Sequence, residues 1–288
     1  MNTEQWTIKS VLDWTLSYFT EKCVESPRLS AEILLASTLG LERIDLYVQY
    51  DRPLDKQELA AFKAKILRRT KHEPVAYITE KKAFWKSTFI VTPHVLIPRP
   101  DTESLLETAI AHLNSKQKGL RILELGIGSG AIIVSLAREL PYHTYFGTDC
   151  SSAAIDIARQ NATQMDVRIH FVVSHWLDAL SKTFDLIISN PPYIPTLELQ
   201  SLSAEIVQFE PQVALDGGND GLFHIRTIIQ NAPQYLASDG VLMLEMGCDQ
   251  GKAIQELIAE ERRSKTLQIL KDYAGHERVV CIGNIGQS

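Results

Sequence analysis

The 288-residue sequence predicts an α/β protein: a doubly wound, largely parallel sheet closed by an antiparallel strand pair, preceded by a small all-α bundle and a β-hairpin linker. Three observations predict it. Apolar side chains recur at helical spacing through the first 75 residues, and short apolar runs then alternate with helical stretches. The last two runs are joined by only a few residues, too few for the crossover that parallel strands need, so that pair must run antiparallel.

In the helical part, assigned to residues 1–74, "SVLDWTLSYFTEKCV" places Val11, Leu12, Leu16 and Phe19 on one face. "RLSAEILLASTLGL" offers Ser30 as a cap, then Ile33, Leu34 and Leu35, and a stop at Gly40. "DKQELAAFKAKILRRTKHE" aligns Leu59, Phe62, Ile66 and Leu67. Residues 75–98 alternate in part and are rich in β-branched and aromatic side chains, which favours strands and a hairpin linker. The linker runs into "IPRPDTE", where Pro98 and Pro100 stiffen the chain and Asp101 or Thr102 can cap the next helix. In residues 99–288 the strand candidates are "RILEL", "TYFGT", "RIHFVV", "FDLIIS", "VLMLEM", "TLQILKD" and "ERVVCIG". Helices are expected at Ala131 to Leu140, Ser152 to Met165, Leu222 to Leu236 and Gly251 to Glu260. Strands buried on both faces and separated by helices are the mark of a parallel, doubly wound sheet.

Composition is ordinary, 45% hydrophobic and 22% charged, which argues against disorder. The net charge of -6 disfavours a general nucleic-acid binder, which carries a basic excess. The first 75 residues hold 11 basic and 11 acidic side chains, leaving 18 basic and 24 acidic for the rest. A basic cluster at Lys63, Lys65, Arg68, Arg69 and Lys71 reads as a solvated helix face. Cys23, Cys150, Cys248 and Cys281 have no metal-ligand spacing. The start "MNTEQWTIKS" lacks a signal-peptide pattern, and no apolar run approaches the roughly 20 residues that span a bilayer. The expectation is a soluble cytoplasmic protein with free thiols.

"ILELGIGSGAIIVSLA" runs from a strand through a glycine-rich turn into a helix. Gly126, Gly128 and Gly130 let the backbone approach a ligand, and the helix start presents free N–H groups. The spacing is not the G-x-G-x-x-G of dinucleotide folds. One βα unit later, Asp149 ends a strand where a carboxylate can accept both ribose hydroxyl hydrogens, in a nicotinamide or an adenosyl cofactor alike. Glu124 stands either as an acidic wall near a cationic ligand or as a polar strand end satisfied by backbone N–H groups. Trp176, in "SHWLDAL", either flanks an adenine or belongs to the core. These features resemble S-adenosylmethionine-dependent methyltransferases with a Rossmann-like seven-stranded sheet, and the resemblance places the antiparallel pair within that sheet.

"IISNPPYIP" stops the fourth strand with a carboxamide and two prolines at the edge where open α/β sheets bind ligands. An amide or aromatic-amine nitrogen is a weak nucleophile, so a site that methylates one must hold its N–H groups and aim it at the methyl carbon. The Asn190 oxygen and the Pro191 carbonyl can accept those hydrogens and stabilise charge growing on nitrogen. Pro191 and Pro192 expose carbonyls rigidly, and Tyr193 offers a flat wall. By itself the motif fits adenine or guanine amines as well as glutamine.

"VLIPRPDTE", "ISNPPYIP", "FEPQVALDGGNDGL" and "KDYAGHERVV" occur in that order, and with them the chain closely resembles the release factor glutamine methyltransferases, the PrmC or HemK family, over essentially its whole length. The resemblance implies methyl transfer from S-adenosylmethionine, without metal, to the amide nitrogen of the Gly-Gly-Gln glutamine of bacterial peptide-chain release factors. It implies a helical domain that grips the release factor, and no direct nucleic-acid or membrane partner; a monomer is expected. It assigns cofactor contact to Glu124, Gly126, Ile127, Gly128, Ser129, Gly130, Asp149, Trp176 and Asn190. The glutamine falls to Asn190, Pro191, Pro192 and Tyr193, with Asn190, Pro191 and Tyr193 in the catalytic role. The family favours a small residue at 127 and often Asp at 124, so Ile127 removes a possible hydroxyl contact while Glu124 keeps the charge. Arg99 and Pro100 shape the pocket wall or dock the following helix. None of the eight histidines falls in a catalytic motif.

Two other classes compete. An adenine-amine methyltransferase on DNA or RNA shares the carboxamide motif but calls for a basic groove. A non-catalytic adaptor for release factor or ribosome would use the helical bundle alone. A nicotinamide-dependent oxidoreductase is disfavoured by the glycine spacing.

Overall fold

Local caps and apolar spacing set the helices of the first 80 residues in the computed structural model, which describes residues 6–260 and 266–283. The first five residues of the "MNTEQWTIKS" start lie outside the described residues. Helix α1 (Ile8–Glu21) opens with a capping box between Thr7 and Ser10 and buries Ile8, Val11, Leu12, Thr15 and Phe19, with Leu16 half-buried. Helix α2 (Pro27–Leu39) starts on a proline and stops at Gly40 in the left-handed conformation. Ser30 is not its cap. It lies buried inside the helix, donating its hydroxyl to the Glu25 carbonyl at 3.2 Å, because Pro27 has already begun the first turn. Helix α3 (Arg43–Val48) is short, and α4 (Lys56–Arg69) is capped by the Asp55 carboxylate.

Helix α4 corrects two expectations. Its inner face is Phe62, Ile66 and Arg69, whereas Leu67 is 49% exposed. A residue turns about 100° from its neighbour on a helix, so Leu67 cannot share the Phe62–Ile66 stripe. Arg69 leaves the solvated basic cluster for the interior. It pairs with Glu205 and donates to the Ser30 hydroxyl and the Glu25 and Glu73 carbonyls, so its buried charge is fully partnered. Residues 75–79, expected as strand, form helix α5 (Val75–Thr79). The Pro74 carbonyl accepts the Tyr77 and Ile78 N–H groups, and the turn buries both side chains.

The chain divides into two compact units, residues 1–80 with 203–209, and residues 81–202 with 210–288. The helical unit therefore includes α9 (Ala204–Phe209), which carries Glu205. The hairpin of β1 (Lys81–Phe84) and β2 (Ser87–Ile90) opens the larger unit. Asn161 ties it down: Oδ1 accepts the Ile90 N–H at 2.7 Å, and Nδ2 donates to the Ile90 and Ser129 carbonyls at 3.0 and 2.9 Å.

After a short 3-10 turn (Pro100–Thr102) come α6 (Glu103–Asn114), β3 (Arg121–Leu125), α7 (Ala131–Glu139), β4 (Thr144–Asp149), α8 (Ser152–Gln164) and β5 (Ile169–Val173). Strand β6 (Phe184–Ser189) precedes α9. Then follow α10 (Phe223–Asn231), β7 (Leu236–Glu245), α11 (Gly251–Glu260), β8 (Thr266–Lys271) and β9 (Glu277–Gly283). The expected seven-stranded sheet runs in the order β5-β4-β3-β6-β7-β9-β8, with β9 antiparallel to both neighbours. One face is closed by α6 and α7 through Leu105, Leu106, Ile133 and Leu136, the other by α10 and α11 through Ile225, Ile228 and Ile254, all fully buried. Each such side chain contributes about 1.5–3 kcal/mol relative to exposure. The strand order reverses between β3 and β6, and open α/β sheets bind ligands at the carboxyl ends around such a reversal. Among the described residues no helix is long and apolar enough to cross a membrane.

Asn161 is 0% exposed, so replacing it by alanine deprives the buried Ser129 carbonyl and the half-buried Ile90 carbonyl and N–H of their partner. Asn161→Ala is expected to cost about 3 kcal/mol of stability, read from urea unfolding. A loss under about 1 kcal/mol would show that the clamp is dispensable.

Candidate active site

The turn after β3 is built for close approach. Gly126, Gly128 and Gly130 have φ of 68°, 51° and 77°, the left-handed region that favours glycine. The Gly126 and Ile127 N–H groups bond the Thr148 carbonyl, and Gly130 closes on Ile127 at 2.7 Å before α7 begins. The Ile127 side chain turns away into the core against Ile155 and Ala158, and a Cβ on Gly147 would come within 2.8 Å of it. Residue 127 therefore braces the turn from the core while also lining the hollow that reaches Glu124 and Thr102. Ser129 is buried, its carbonyl held by Asn161. Glu124 is buried and accepts the Ile133 N–H at 2.8 Å, one of the free donors of the first turn of α7. Burial pushes its carboxyl well above the usual carboxylate range, and the Ile133 N–H pulls the other way.

Asp149 ends β4 opposite this turn. One carboxylate oxygen accepts the Gly128 N–H at 2.9 Å and the other the Ser151 N–H at 2.9 Å, which fixes the group and leaves each oxygen further lone-pair capacity. A cleft of about 790 Å³ opens here, lined among others by Gly126, Gly128, Asp149, Trp176, Asn190 and Pro192. A second hollow of about 410 Å³, sharing Gly126, Gly128 and Asn190, reaches Glu124 and Thr102. Trp176 is held at φ 48°, a left-handed conformation unfavourable for a side-chain-bearing residue. Its ring lies between Gly126 and His224, whose ring centroid is 5.3 Å away. Sequence patterning did not single out His224, which lies in an unremarkable helical stretch.

Asn190 follows β6 at the rim of both hollows. Its Nδ2 donates to the Thr102 hydroxyl at 3.1 Å, while Oδ1 receives no hydrogen bond among the described residues. Thr102 thus orients the carboxamide and caps nothing. Asp101 is no cap either, since its carboxylate meets Arg278 at 3.3 Å. Pro191 and Pro192 are buried. Tyr193 is not among the residues lining either hollow. Its ring packs against the core and its hydroxyl donates to Glu245 Oε1 at 3.3 Å.

Glu245, at the end of β7, was not anticipated. It is wholly buried, its Oε2 has no hydrogen-bond partner among the described residues, and burial pushes its carboxyl up to about 7. The Thr102 hydroxyl, Arg278 and Tyr193 pull the other way, and Asp101 adds to the rise. The only sequence signal was a lone carboxylate closing an apolar strand.

The "FEPQVALDGGNDGL" segment packs behind the asparagine motif. Ile194 N–H bonds the Leu215 carbonyl and Gly217 N–H bonds that of Ile194. Gln250 Nε2 donates to the Tyr193 carbonyl at 2.9 Å. Gly221, at φ 71°, passes so close that a Cβ would sit 2.4 Å from that carbonyl. Arg99 pairs with buried Glu210 at 2.5 Å, and Glu210 also accepts the Ile97 N–H, so "IPRP" and "FEPQ" are joined by a partnered charge. Among the described residues no group of three or more His, Cys, Asp or Glu side chains is placed to hold a metal ion.

Residues 10–79 match the PrmC N-terminal domain and residues 101–222 the methyltransferase small domain. The release factor glutamine methyltransferase of Geobacter sulfurreducens is 45% identical over 252 residues, covering 87% of this chain and 88% of that protein. That of Chlorobaculum tepidum is 38% identical over 281 residues, covering 93% and 94%. Among solved structures, the fold is similar to the hMettl16 catalytic domain in complex with MAT2A 3′UTR hairpin 6, at a TM-score of 0.56 and 14% identity over 81% of this chain and 83% of that one. A methyltransferase from Pyrococcus furiosus gives 0.51 and 19% over 77% and 97%. The sheet, the glycine turn and the family match define an S-adenosylmethionine-dependent methyltransferase. Within that class, the chain belongs to the release factor glutamine methyltransferases.

Glu245 titrates near 7 in the folded chain against an ordinary value of 4.5, so protonation favours folding. Its stabilising contribution is complete below 4.5 and is lost as pH rises through about 7, on the order of 3 kcal/mol in all. Urea unfolding between pH 4.5 and 8 is expected to show a smaller decline for Glu245→Gln than for the wild type. Parallel curves would show that the carboxyl is not desolvated in the folded chain.

Proposed function

We propose that this chain transfers the methyl group of S-adenosylmethionine to the side-chain amide nitrogen of the Gly-Gly-Gln glutamine of bacterial release factors. The observation that carries the reading is the Asn190 carboxamide, its nitrogen pinned to Thr102 and its oxygen unpartnered at the rim of the cleft. The cofactor fits the residues present. Glu124, the turn of Gly126, Gly128, Ser129 and Gly130, the Asp149 carboxylate and Trp176 would hold it, with Ile127 supporting the turn from the core. When bound, it supplies a methyl group on a positively charged sulfur. Asn190 Oδ1 accepts one amide N–H of the glutamine. The Pro191 carbonyl, which receives no hydrogen bond from any described residue, accepts the other. Both dipoles are fixed before the substrate arrives, so they favour the positive charge that grows on nitrogen without reorganising. Pro192 walls the cleft. Tyr193 acts through its backbone, which Gln250 holds. The proton is lost to solvent after transfer, and no metal is required.

Release-factor recognition is assigned to the helical domain, residues 1–74, joined by the 75–98 hairpin segment to the methyltransferase domain, residues 99–288. The reading takes the chain as a cytoplasmic monomer acting on protein, not on nucleic acid or a membrane. The relatives named for release factor glutamine methylation cover nearly the whole chain, which favours this acceptor over an adenine amine.

Labelled S-adenosylmethionine is expected to label a release factor whose Gly-Gly-Gln glutamine is intact, and neither the glutamine-replaced factor nor an adenine-containing oligonucleotide. Label on both factors, or on neither, contradicts the acceptor. Asn190→Ala should lower kcat about 100-fold or more; transfer at the wild-type rate contradicts the catalytic assignment of Asn190. Asp149→Ala should weaken S-adenosylhomocysteine binding by about 10–100-fold in a calorimetric titration. Tighter binding of a nicotinamide cofactor than of S-adenosylhomocysteine by the wild type would reject the cofactor assignment.

A further inference from the structure

We propose that Glu245 is a positioning residue whose carboxylate, acting through the Thr102 hydroxyl, sets which end of the Asn190 carboxamide faces the cleft. The argument is one of hydrogen-bond polarity. A threonine hydroxyl has one proton to give and lone pairs to accept with. Thr102 Oγ1 accepts from Asn190 Nδ2 at 3.1 Å, so its own proton must go elsewhere. The Thr102 hydroxyl favours the charged form of Glu245, and Glu245 Oε2 is a buried acceptor with no hydrogen-bond partner among the described residues, open to that proton. A carboxylate can only accept: Oε1 takes the Tyr193 hydroxyl proton at 3.3 Å, and Oε2, a buried acceptor with no partner among the described residues, is left to take that of Thr102. With that proton committed, Asn190 has one satisfied orientation, nitrogen to Thr102 and oxygen to the cleft.

A protonated Glu245 becomes a donor and releases the constraint. The Thr102 proton can then go to Asn190 Oδ1, the carboxamide turns over, and an N–H group meets the N–H of the incoming amide. Every charged group that faces Glu245 bears on the balance. Arg278, from β9, favours the carboxylate. Asp101 opposes it from the turn before α6 but shares Arg278 with Asp272, which pairs with Arg278 at 3.2 Å. Burial holds the change near neutrality, at about 7. Glutamine does not titrate in this range, so a step there belongs to the protein.

The inference rests on the reading of Asn190 as the acceptor for the substrate N–H. Its test is single-turnover methyl transfer to a release factor between pH 5.5 and 8.5, at saturating S-adenosylmethionine. The wild-type rate is expected to climb about tenfold, centred near 7, and Glu245→Gln to be flat and slower by about tenfold or more. Thr102→Val should lose as much in kcat with little change in KM for S-adenosylmethionine, and Thr102→Ser should restore both rate and pH step. An undiminished step near 7 in Glu245→Gln, or wild-type turnover by Thr102→Val, overturns the inference while leaving the proposed reaction intact. Should Glu245→Gln fail to fold, the Thr102→Val and Thr102→Ser pair decides. No transfer by the wild type at any pH sinks the proposed reaction, and this inference with it.

Discussion

The buried Ser189 hydroxyl donates to the Leu125 carbonyl at 2.7 Å, joining the last residues of β6 and β3. The two strands pair in parallel with Leu125 beside Ser189, so the glycine turn and Asn190 leave the sheet side by side. This follows from the reversal of strand order between them. A shift by one residue would turn every side chain of the strand to the opposite face and carry Asn190 away from the turn. The cleft, the glycine cradle and the carboxamide all depend on that register.

Two electrical environments meet at this edge. On the cleft side, Asp149 is held by backbone N–H groups and still open to a ligand. Behind Asn190 the surroundings are dry: the Tyr193 hydroxyl donates to one oxygen of Glu245, the other has no partner among the described residues, and Arg278 pairs with Asp101 and Asp272. Charge in a dry region is costly unless partnered, which makes its protonation state responsive to neighbours. The open side is suited to ligand exchange and the dry side to holding an orientation. Gln250 and Gly221 extend the same rigidity to the backbone of the asparagine motif, one by donating to the Tyr193 carbonyl and the other by leaving room for it.

The helical unit shows how far patterning reaches. Gly40 as a stop was legible because only a residue without Cβ takes a left-handed cap readily. The Phe62–Ile66 stripe was legible from spacing alone. Arg69 was not, because a long basic side chain reads as solvent-facing unless its partner is known. That partner, Glu205, lies 136 residues away in sequence. Ser30 misled for a local reason, since a serine before an apolar run resembles a cap even when Pro27 has already started the helix.

By itself the sequence determined the alternation of strands and helices, the antiparallel closing pair, the glycine turn, the carboxamide after β6 and the family those motifs resemble. These are local properties: periodicity, chain punctuation and the length of a connection. Only the tertiary structure decided that Ile127 faces the core, that Tyr193 sends its hydroxyl to Glu245, and that Thr102 orients Asn190 instead of capping α6. Those facts join residues 52 and 88 positions apart, at the ends of strands whose order in the sheet no local pattern specifies. Where a side chain points at a strand end depends on what the neighbouring strand brings to meet it.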